Sequence, residues 1–251
     1  MKAQKARHLS ILEMLSEHKC LKVTELAEKL GVSLVTVRKD LTALESKKLL
    51  LRYQGYVELN TNTPVNRRML SNYEKKIRIV QEATKLVDDG DTIMIESGSC
   101  CILLADELKN TGKKITIITN STFMADYISP CENIKLILLG GEYQADSMAV
   151  VGVITKSCIE QFHARFFFSG TDGYLTGAGF TGDNPERVEI LRTMARQSKT
   201  CVMITESEKF SRIGAMTLFS AAETDIVITD GGISADTEQE LQANQIKIIK
   251  V

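Results

Sequence analysis

The chain has 251 residues, 43% of them hydrophobic and 25% charged, which suits one large α/β domain or a domain of about 180 residues carrying a small module. No apolar run approaches the ~20 residues that span a bilayer, and the opening MKAQKARHLS has basic residues with no apolar segment behind them. Neither a membrane span nor a secretory leader is therefore expected, and the cytoplasm is the expected compartment.

The formal charge of −1 hides an asymmetry: residues 1–60 hold 11 Lys/Arg against 7 Asp/Glu, and the remainder 20 against 25. A polyanion is expected to meet the N-terminal end only. The six cysteines (Cys20, Cys100, Cys101, Cys131, Cys158 and Cys201) contain no C-x-x-C pair, and His8, His18 and His163 stand far from them. That excludes the usual zinc spacings, and no metal or cofactor is expected. Cys100 and Cys101 are read as small semi-buried thiols, because a bridge across one peptide bond is strained.

Residues 5–17 place Leu9, Leu12 and Leu15 (or Ser16) at helical spacing and predict a first amphipathic helix. Thr24 suits the N-cap of a short helix over 25–30, with Leu26, Ala27 and Leu30 inward. Gly31 follows it as a left-handed exit. Ser33 is expected to cap the next helix, with Leu34, Val37, Leu41 and Leu44 on one face and Val35, Thr36, Arg38, Lys39 and Thr42 on the other. A short helix, a glycine turn and a helix with polar and basic residues near its start make the layout of a helix-turn-helix, whose second helix lies in the major groove. Arg38 can donate two hydrogen bonds to a guanine edge, and Lys39 and Thr36 suit phosphates. LLRYQGYVEL (50–59) alternates around Gly55 and predicts a two-stranded wing, with Arg52 and Tyr53 near the DNA backbone. A three-helix protein–protein module with a solvated basic face fits the same periodicity. Spacing, glycine, wing and local charge together favour double-stranded DNA.

Residues 60–72 (NTNTPVNRRMLSN) are polar, contain Pro64 and lack periodicity, so they are expected to link a DNA-binding domain over 1–59 to a second domain over 73–251. A helix follows with Ile77, Val80, Ala83 (or Thr84) and Val87 on one face. Beyond it, apolar runs at 92–96, 115–119, 134–139, 165–169, 201–205, 225–229 and 246–251 alternate with helical patterns at 99–110, 121–128, 185–198 and 235–243. That order predicts a mostly parallel sheet covered on both faces.

Ligands bind beyond the C-terminal ends of such strands. These ends carry ESGSC (96–100), TNS (119–121), GGE (140–142), GTDG (170–173) and ESEKF (206–210), and their recurrence argues for one convergent polar site. Gly98 and Ser99, followed by a helix, would aim backbone N–H groups at an anion, for which phosphate is the natural guest. Neither G-x-x-x-x-G-K-[ST] nor G-x-G-x-x-G is present. Lys209 is a candidate second countercharge, or a plain surface lysine.

Residues 26–56, LAEKLGVSLVTVRKDLTALESKKLLLRYQGY, resemble the winged helix-turn-helix of the DeoR family of bacterial transcriptional regulators. The family pattern stands here as Thr36-Val37-Arg38-Lys39-Asp40-Leu41, Leu44-Glu45 and Arg52–Gly55. The resemblance continues through the second half. There the family's Asp-x-Gly-Thr-Thr loop corresponds to Glu96-Ser97-Gly98-Ser99-Cys100, and its Thr-Asn-Ser to Thr119-Asn120-Ser121. Its Gly-Gly corresponds to Gly140-Gly141, its Lys-Phe-Gly to Lys209-Phe210-Ser211, and its closing Thr-Asp to Thr229-Asp230.

The resemblance implies a sensor domain similar in fold to ribose-5-phosphate isomerase. It implies a repressor of sugar- or polyol-utilisation genes whose affinity for operator DNA is altered by a phosphorylated sugar or polyol. Paired half-sites imply a homo-oligomer, a dimer or tetramer. Gly170, Asp172 and Gly173 join the effector-site candidates by their place at a strand end. Glu96, Cys100, Ser211 and the Leu191-Arg192 pair depart from the family pattern, which points to a different effector or a weaker hold on the common one. Asn184 and Pro185 still give the helix that follows a clean start. The alternative is an isomerase-like enzyme with a nucleic-acid module, in which Glu96, Asp172 and Lys209 would supply the acid–base groups.

Overall fold

The computed structural model describes residues 2–128 and 131–251, and the chain divides into two compact units, up to Glu74 and from Lys75 onward. The first unit contains α1 (Lys2–Glu17), β1 (Leu21–Lys22), α2 (Val23–Leu30), α3 (Leu34–Ser46), β2 (Leu50–Tyr53), β3 (Tyr56–Leu59) and α4 (Pro64–Leu70). Its core is built from Ile11, Leu12 and Leu15 of α1, Leu26 of α2, and Val37, Leu41 and Leu44 of α3. Leu9, expected inside, is only half-buried, because the inward stripe of α1 runs through Ile11 instead. Leu34, also expected inside, is 40% exposed at the start of α3.

The start of α2 differs from the sequence expectation. Leu21 and Lys22 pair with Val57 and Tyr56, and the Val23 N–H bonds the Gly55 carbonyl at 3.0 Å. The helix is thus launched from a strand at Val23. Lys22 holds the N-cap position without a side-chain bond, and Thr24 is an exposed first-turn residue, not the cap. Gly31 leaves α2 at φ +63°, and Ser33 Oγ accepts the Thr36 N–H at 3.2 Å to cap α3, both as expected. The wing has a third strand, in the order β1-β3-β2, and closes through Gln54-Gly55 with Gly55 at φ +82°. Within residues 60–72 the chain forms α4, capped by Thr63, begun by Pro64 and burying Val65 and Met69.

α5 (Tyr73–Ala83) carries the chain into the second unit and buries Lys76, Ile79, Val80 and Ala83. Ile79 takes the inward place expected for Ile77. Then come β4 (Thr92–Ile95), α6 (Ser99–Lys109), β5 (Ile115–Thr119), α7 (Thr122–Ile128), β6 (Ile134–Leu138), β7 (Glu142–Gln144), β8 (Ala149–Val151), α8 (Gly152–Ile159), β9 (Ala164–Ser169), β10 (Gly173–Leu175), β11 (Gly179–Gly182), α9 (Pro185–Arg196), β12 (Ser198–Ile204), β13 (Met216–Phe219), β14 (Ile226–Thr229), α10 (Ala235–Ala243) and β15 (Lys247–Lys250).

Seven of these strands make one sheet in the order β15-β14-β12-β9-β4-β5-β6, with every pairing parallel. Consecutive residues Ile93, Met94 and Ile95 are all fully buried, as are Val202, Met203 and Ile204, so the central strands are covered on both faces. The chain runs outward from β4 through β5 to β6, then returns to place β9 on the other side of β4. That reversal is a topological switch point, where open α/β sheets leave a crevice at the strand ends. The antiparallel β10-β11-β13 sheet and the β7-β8 hairpin, together with α8, were not legible in the sequence. β10 and β11 begin on glycines whose added Cβ atoms would strike backbone: Gly173 against the Arg212 carbonyl oxygen at 2.4 Å, and Gly179 against that of Phe219 at 2.4 Å.

Candidate functional site

In the first unit, the outer side of α3 presents Val35 (75% exposed), Arg38, Lys39 and Thr42 to solvent, with Thr36 half-buried beside Ser33. Neither Arg38 nor Lys39 has a side-chain partner among the described residues. Arg52 Nη1 donates to Thr42 Oγ1 at 3.0 Å and lies 3.6 Å from Glu45 Oε2, so β2 is tied to α3 on its exposed side. Tyr53 donates its hydroxyl to Glu58 across the wing at 2.8 Å. The inner side of α3 carries Asp40, 1% exposed. It accepts hydrogen bonds from Arg7 Nε at 2.7 Å and Nη2 at 3.2 Å, and lies 3.2 Å from His8 Nε2. Burial alone would raise the Asp40 carboxyl, but the hydrogen bond and charge of Arg7, with His8, hold it below the ordinary carboxylate range. The same burial lowers His8, with Asp40 opposing. A buried ionic clamp therefore fixes α1 to the helix that displays Arg38 and Lys39.

In the second unit, β4 and β9 end side by side, and Glu96 bridges them. Its Oε1 accepts the Gly170 N–H at 3.0 Å and the Cys101 thiol at 3.4 Å. The side chain fills the gap between two glycines: a Cβ on Gly98 would meet Oε1 at 2.1 Å, and one on Gly170 at 3.3 Å. Ser97 is buried, and Gly98 is the N-cap of α6 with no side-chain acceptor, which leaves the amides of the first turn without one. Cys100, in that turn, points its thiol at Glu206 Oε2, 3.6 Å away, and Glu206 Oε1 pairs with Lys76 Nζ at 2.8 Å. Burial first, and then the Glu206 charge, push the Cys100 thiol well above its ordinary value, so it stays protonated. Asp230, beyond β14, accepts the Ser207 N–H at 2.7 Å and hydroxyl at 2.8 Å and lies 3.7 Å from Lys75 Nζ.

The other candidates are placed as follows. Thr119, Asn120 and Ser121 are buried at the end of β5. Asn120 Nδ2 donates to the Val150 carbonyl at 3.2 Å, and Ser121 Oγ accepts the Met124 N–H at 3.0 Å. Gly140 and Gly141 serve packing: the Gly140 carbonyl takes the Thr155 hydroxyl at 2.8 Å, and a Cβ on Gly141 would meet Thr155 Oγ1 at 1.9 Å. Asp172 Oδ2 caps the Asp183 N–H at 3.0 Å, and Gly173 lies against the backbone of Arg212. Lys209 sits on the turn Ser207–Ser211, anchored by Phe210 against Tyr174 (5.5 Å between ring centroids) and Phe180 (6.0 Å). Its ammonium has no salt bridge among the described residues. The direct contacts thus join Glu96, beside Gly98, to Gly170 and Cys101, and separately join Cys100 to Glu206 and through it to Lys76; Cys101 and Lys76 lie outside the candidates read from the sequence. Lys76 could have been found: it occupies the inward stripe 76, 79/80, 83, where a charge needs a buried partner.

Family models match both units: the DeoR-like helix-turn-helix domain over residues 7–63 and the DeoR C terminal sensor domain over 71–231. The chain belongs to the DeoR family. It is 29% identical over 240 residues to the HTH-type transcriptional regulator GolR of Listeria innocua, covering 94% of each chain. It is likewise 29% identical over 255 residues to UlaR, an HTH-type transcriptional regulator of Escherichia coli O1:K1, covering 98% of each. Among solved structures, ribose 5-phosphate isomerase A of Methanocaldococcus jannaschii aligns with a TM-score of 0.42 at 19% identity over 55% of each chain. As a DeoR-family regulator, the protein reads DNA through the unit that carries α2 and α3. No helix among the described residues is long and apolar enough to cross a membrane.

Proposed function

We propose that this DeoR-family protein is a repressor whose hold on double-stranded operator DNA is changed by a phosphorylated sugar or polyol bound at the strand ends of its second unit. The observation that carries the reading is the switch point between β4 and β9. There a glycine-bounded loop, an uncapped helix N-terminus and the Lys76–Glu206 pair converge. Helix N-termini of this kind favour anions. The regulator names of GolR and UlaR support regulation over turnover. So does the use of Asp172 Oδ2 to cap a backbone amide, where an isomerase would need that carboxylate free to move protons.

Operators recognised by helix-turn-helix proteins have paired half-sites, so the working species is a homo-oligomer. The effector acts by population shift: it binds one quaternary arrangement more tightly than another and so resets the spacing of the α3 helices. The test is a thermal-shift screen of phosphorylated sugars and polyols, with each hit then added to the protein–operator complex in a fluorescence anisotropy titration. Lys209→Ala is expected to abolish the response and leave operator binding within about twofold. A full response in Lys209→Ala would move the anion site elsewhere.

A further inference from the structure

Two buried oxygens at the ends of neighbouring strands accept no hydrogen bond from the described residues. They are Glu96 Oε2 and Asn120 Oδ1, in side chains 2% and 1% exposed. The β4–β5 pairing closes on Ile95 with Thr119, so Glu96 and Asn120 are the next residues on each strand, one register step further. Register neighbours on adjacent strands point to the same face, and the strands lie about 4.8 Å apart.

The other atom of each group fixes its orientation. Glu96 Oε1 is held by the Gly170 N–H at 3.0 Å and the Cys101 thiol at 3.4 Å. Asn120 Nδ2 donates to the Val150 carbonyl at 3.2 Å, so the amide keeps its oxygen, not its nitrogen, turned to the free side. Both free atoms are acceptors, and one belongs to a carboxylate. Buried polar groups almost always find partners, and two adjacent acceptors call for two donors. A phosphate offers further acceptors and like charge. A hydroxyl offers the missing proton.

The space itself points the same way. Glu96 Oε1 already fills the gap between Gly98 and Gly170, 2.1 Å and 3.3 Å from where their Cβ atoms would stand, and it takes the Gly170 amide. The cradle closest to the switch point is thus filled by the protein's own carboxylate.

Resting on the effector reading above, we propose that Glu96 and Asn120 are specificity-determining residues that read the hydroxyl-bearing end of the effector. Hydroxyls on neighbouring carbons donate to Glu96 Oε2 and Asn120 Oδ1, while the phosphate is kept out of the Gly98–Gly170 gap that Glu96 Oε1 fills and stays with the uncapped first-turn amides of α6, Lys209 being the second countercharge. Glu96 selects against an anion at its own position and for a polyol chain.

The test uses the full chain and calorimetric titration with a panel of pentitol and hexitol phosphates, their unphosphorylated parents and inorganic phosphate. Each polyol phosphate that binds is compared with its deoxy analogues. Glu96→Gln is expected to weaken the bound polyol phosphate at least tenfold and to leave inorganic phosphate unchanged or tighter. One deoxy analogue should lose about tenfold on the wild-type protein and almost nothing on Glu96→Gln. Equal weakening of polyol phosphate and inorganic phosphate, or the same deoxy penalty in both proteins, overturns the proposal. Lys209→Ala tests the underlying reading separately: unchanged affinity for both phosphate-bearing probes sinks that reading whatever the Glu96 comparison shows. No binding by any panel member overturns both. If Glu96→Gln lacks a cooperative melt, Asn120→Ser carries the same comparison.

Discussion

Replacing Asp40 with alanine should loosen the DNA-reading unit without touching its DNA-facing surface. Asp40 is 1% exposed and receives Arg7 through two nitrogens, at 2.7 and 3.2 Å, with His8 at 3.2 Å. Removing one partner of a fully buried ion pair costs about 3–5 kcal/mol. Arg7 keeps 26% of its side chain in water and can rehydrate, so the expected cost is lower, about 2 kcal/mol. Because the clamp joins α1 to α3, that loss should appear as roughly 30-fold faster amide hydrogen exchange in both helices at pH 7. Amides of β4 and β5, in the other unit, should not change.

The pH dependence has a defined sign. Asp40 is held below its unfolded value, so its contribution is complete above about pH 4 and is lost as the pH falls through the lower folded value. His8, lowered by burial, acts in the same sense: its part is complete above about pH 6.5 and fades as acid protonates it. The wild-type protein should therefore approach the exchange rates of Asp40→Ala in acid. Exchange in α1 and α3 of Asp40→Ala within threefold of wild type at pH 7 would refute the clamp.

Arg38→Ala should cost about 1–3 kcal/mol in operator binding by anisotropy and relax base preference at one position, with the melt unchanged; equal affinity would remove α3 as the reading helix. Lys76→Ala should lower stability by about 3–5 kcal/mol in urea, because it strands Glu206 in the interior, and the double change Lys76→Met with Glu206→Leu should recover most of that. A double variant no better than the single would show the pair is not the source. With iodoacetamide at pH 8 the exposed Cys20 should be alkylated, while Cys100, Cys101 and Cys201 stay protected until urea is added. Burial pushes the first two thiols well above their ordinary value and Cys201 up to about 12. Labelling of Cys100 at the rate of Cys20, read by mass spectrometry, would contradict that.

The elements readable in the sequence were those whose side chains repeat. Residues 92–96 and 115–119 announced β4 and β5 because strands covered on both faces must be continuously apolar. Gly31 and Ser33 marked the turn between α2 and α3 because a left-handed exit and a hydroxyl cap are local needs. The three- and four-residue strands β10 and β11 were missed, since glycines chosen for close backbone approach carry no periodicity. Thr24 was misplaced as a cap because α2 is launched by pairing with a strand more than thirty residues away.

What the sequence by itself determined was the family-bearing grammar: a glycine turn between two helices, arginine and lysine on the outer side of the second, and β-branched runs ended by small polar loops. Those are local choices, set by backbone conformation and amphipathic spacing, and they need no neighbour to be read. Only the tertiary structure decided which polar residues meet. Glu96 with Gly170, Cys100 with Glu206, Lys76 with Glu206 and Arg7 with Asp40 are contacts between elements distant in sequence or across strand ends. Burial, which alone makes an unpaired oxygen such as Glu96 Oε2 informative, is a property of the packed chain and has no signature along the sequence.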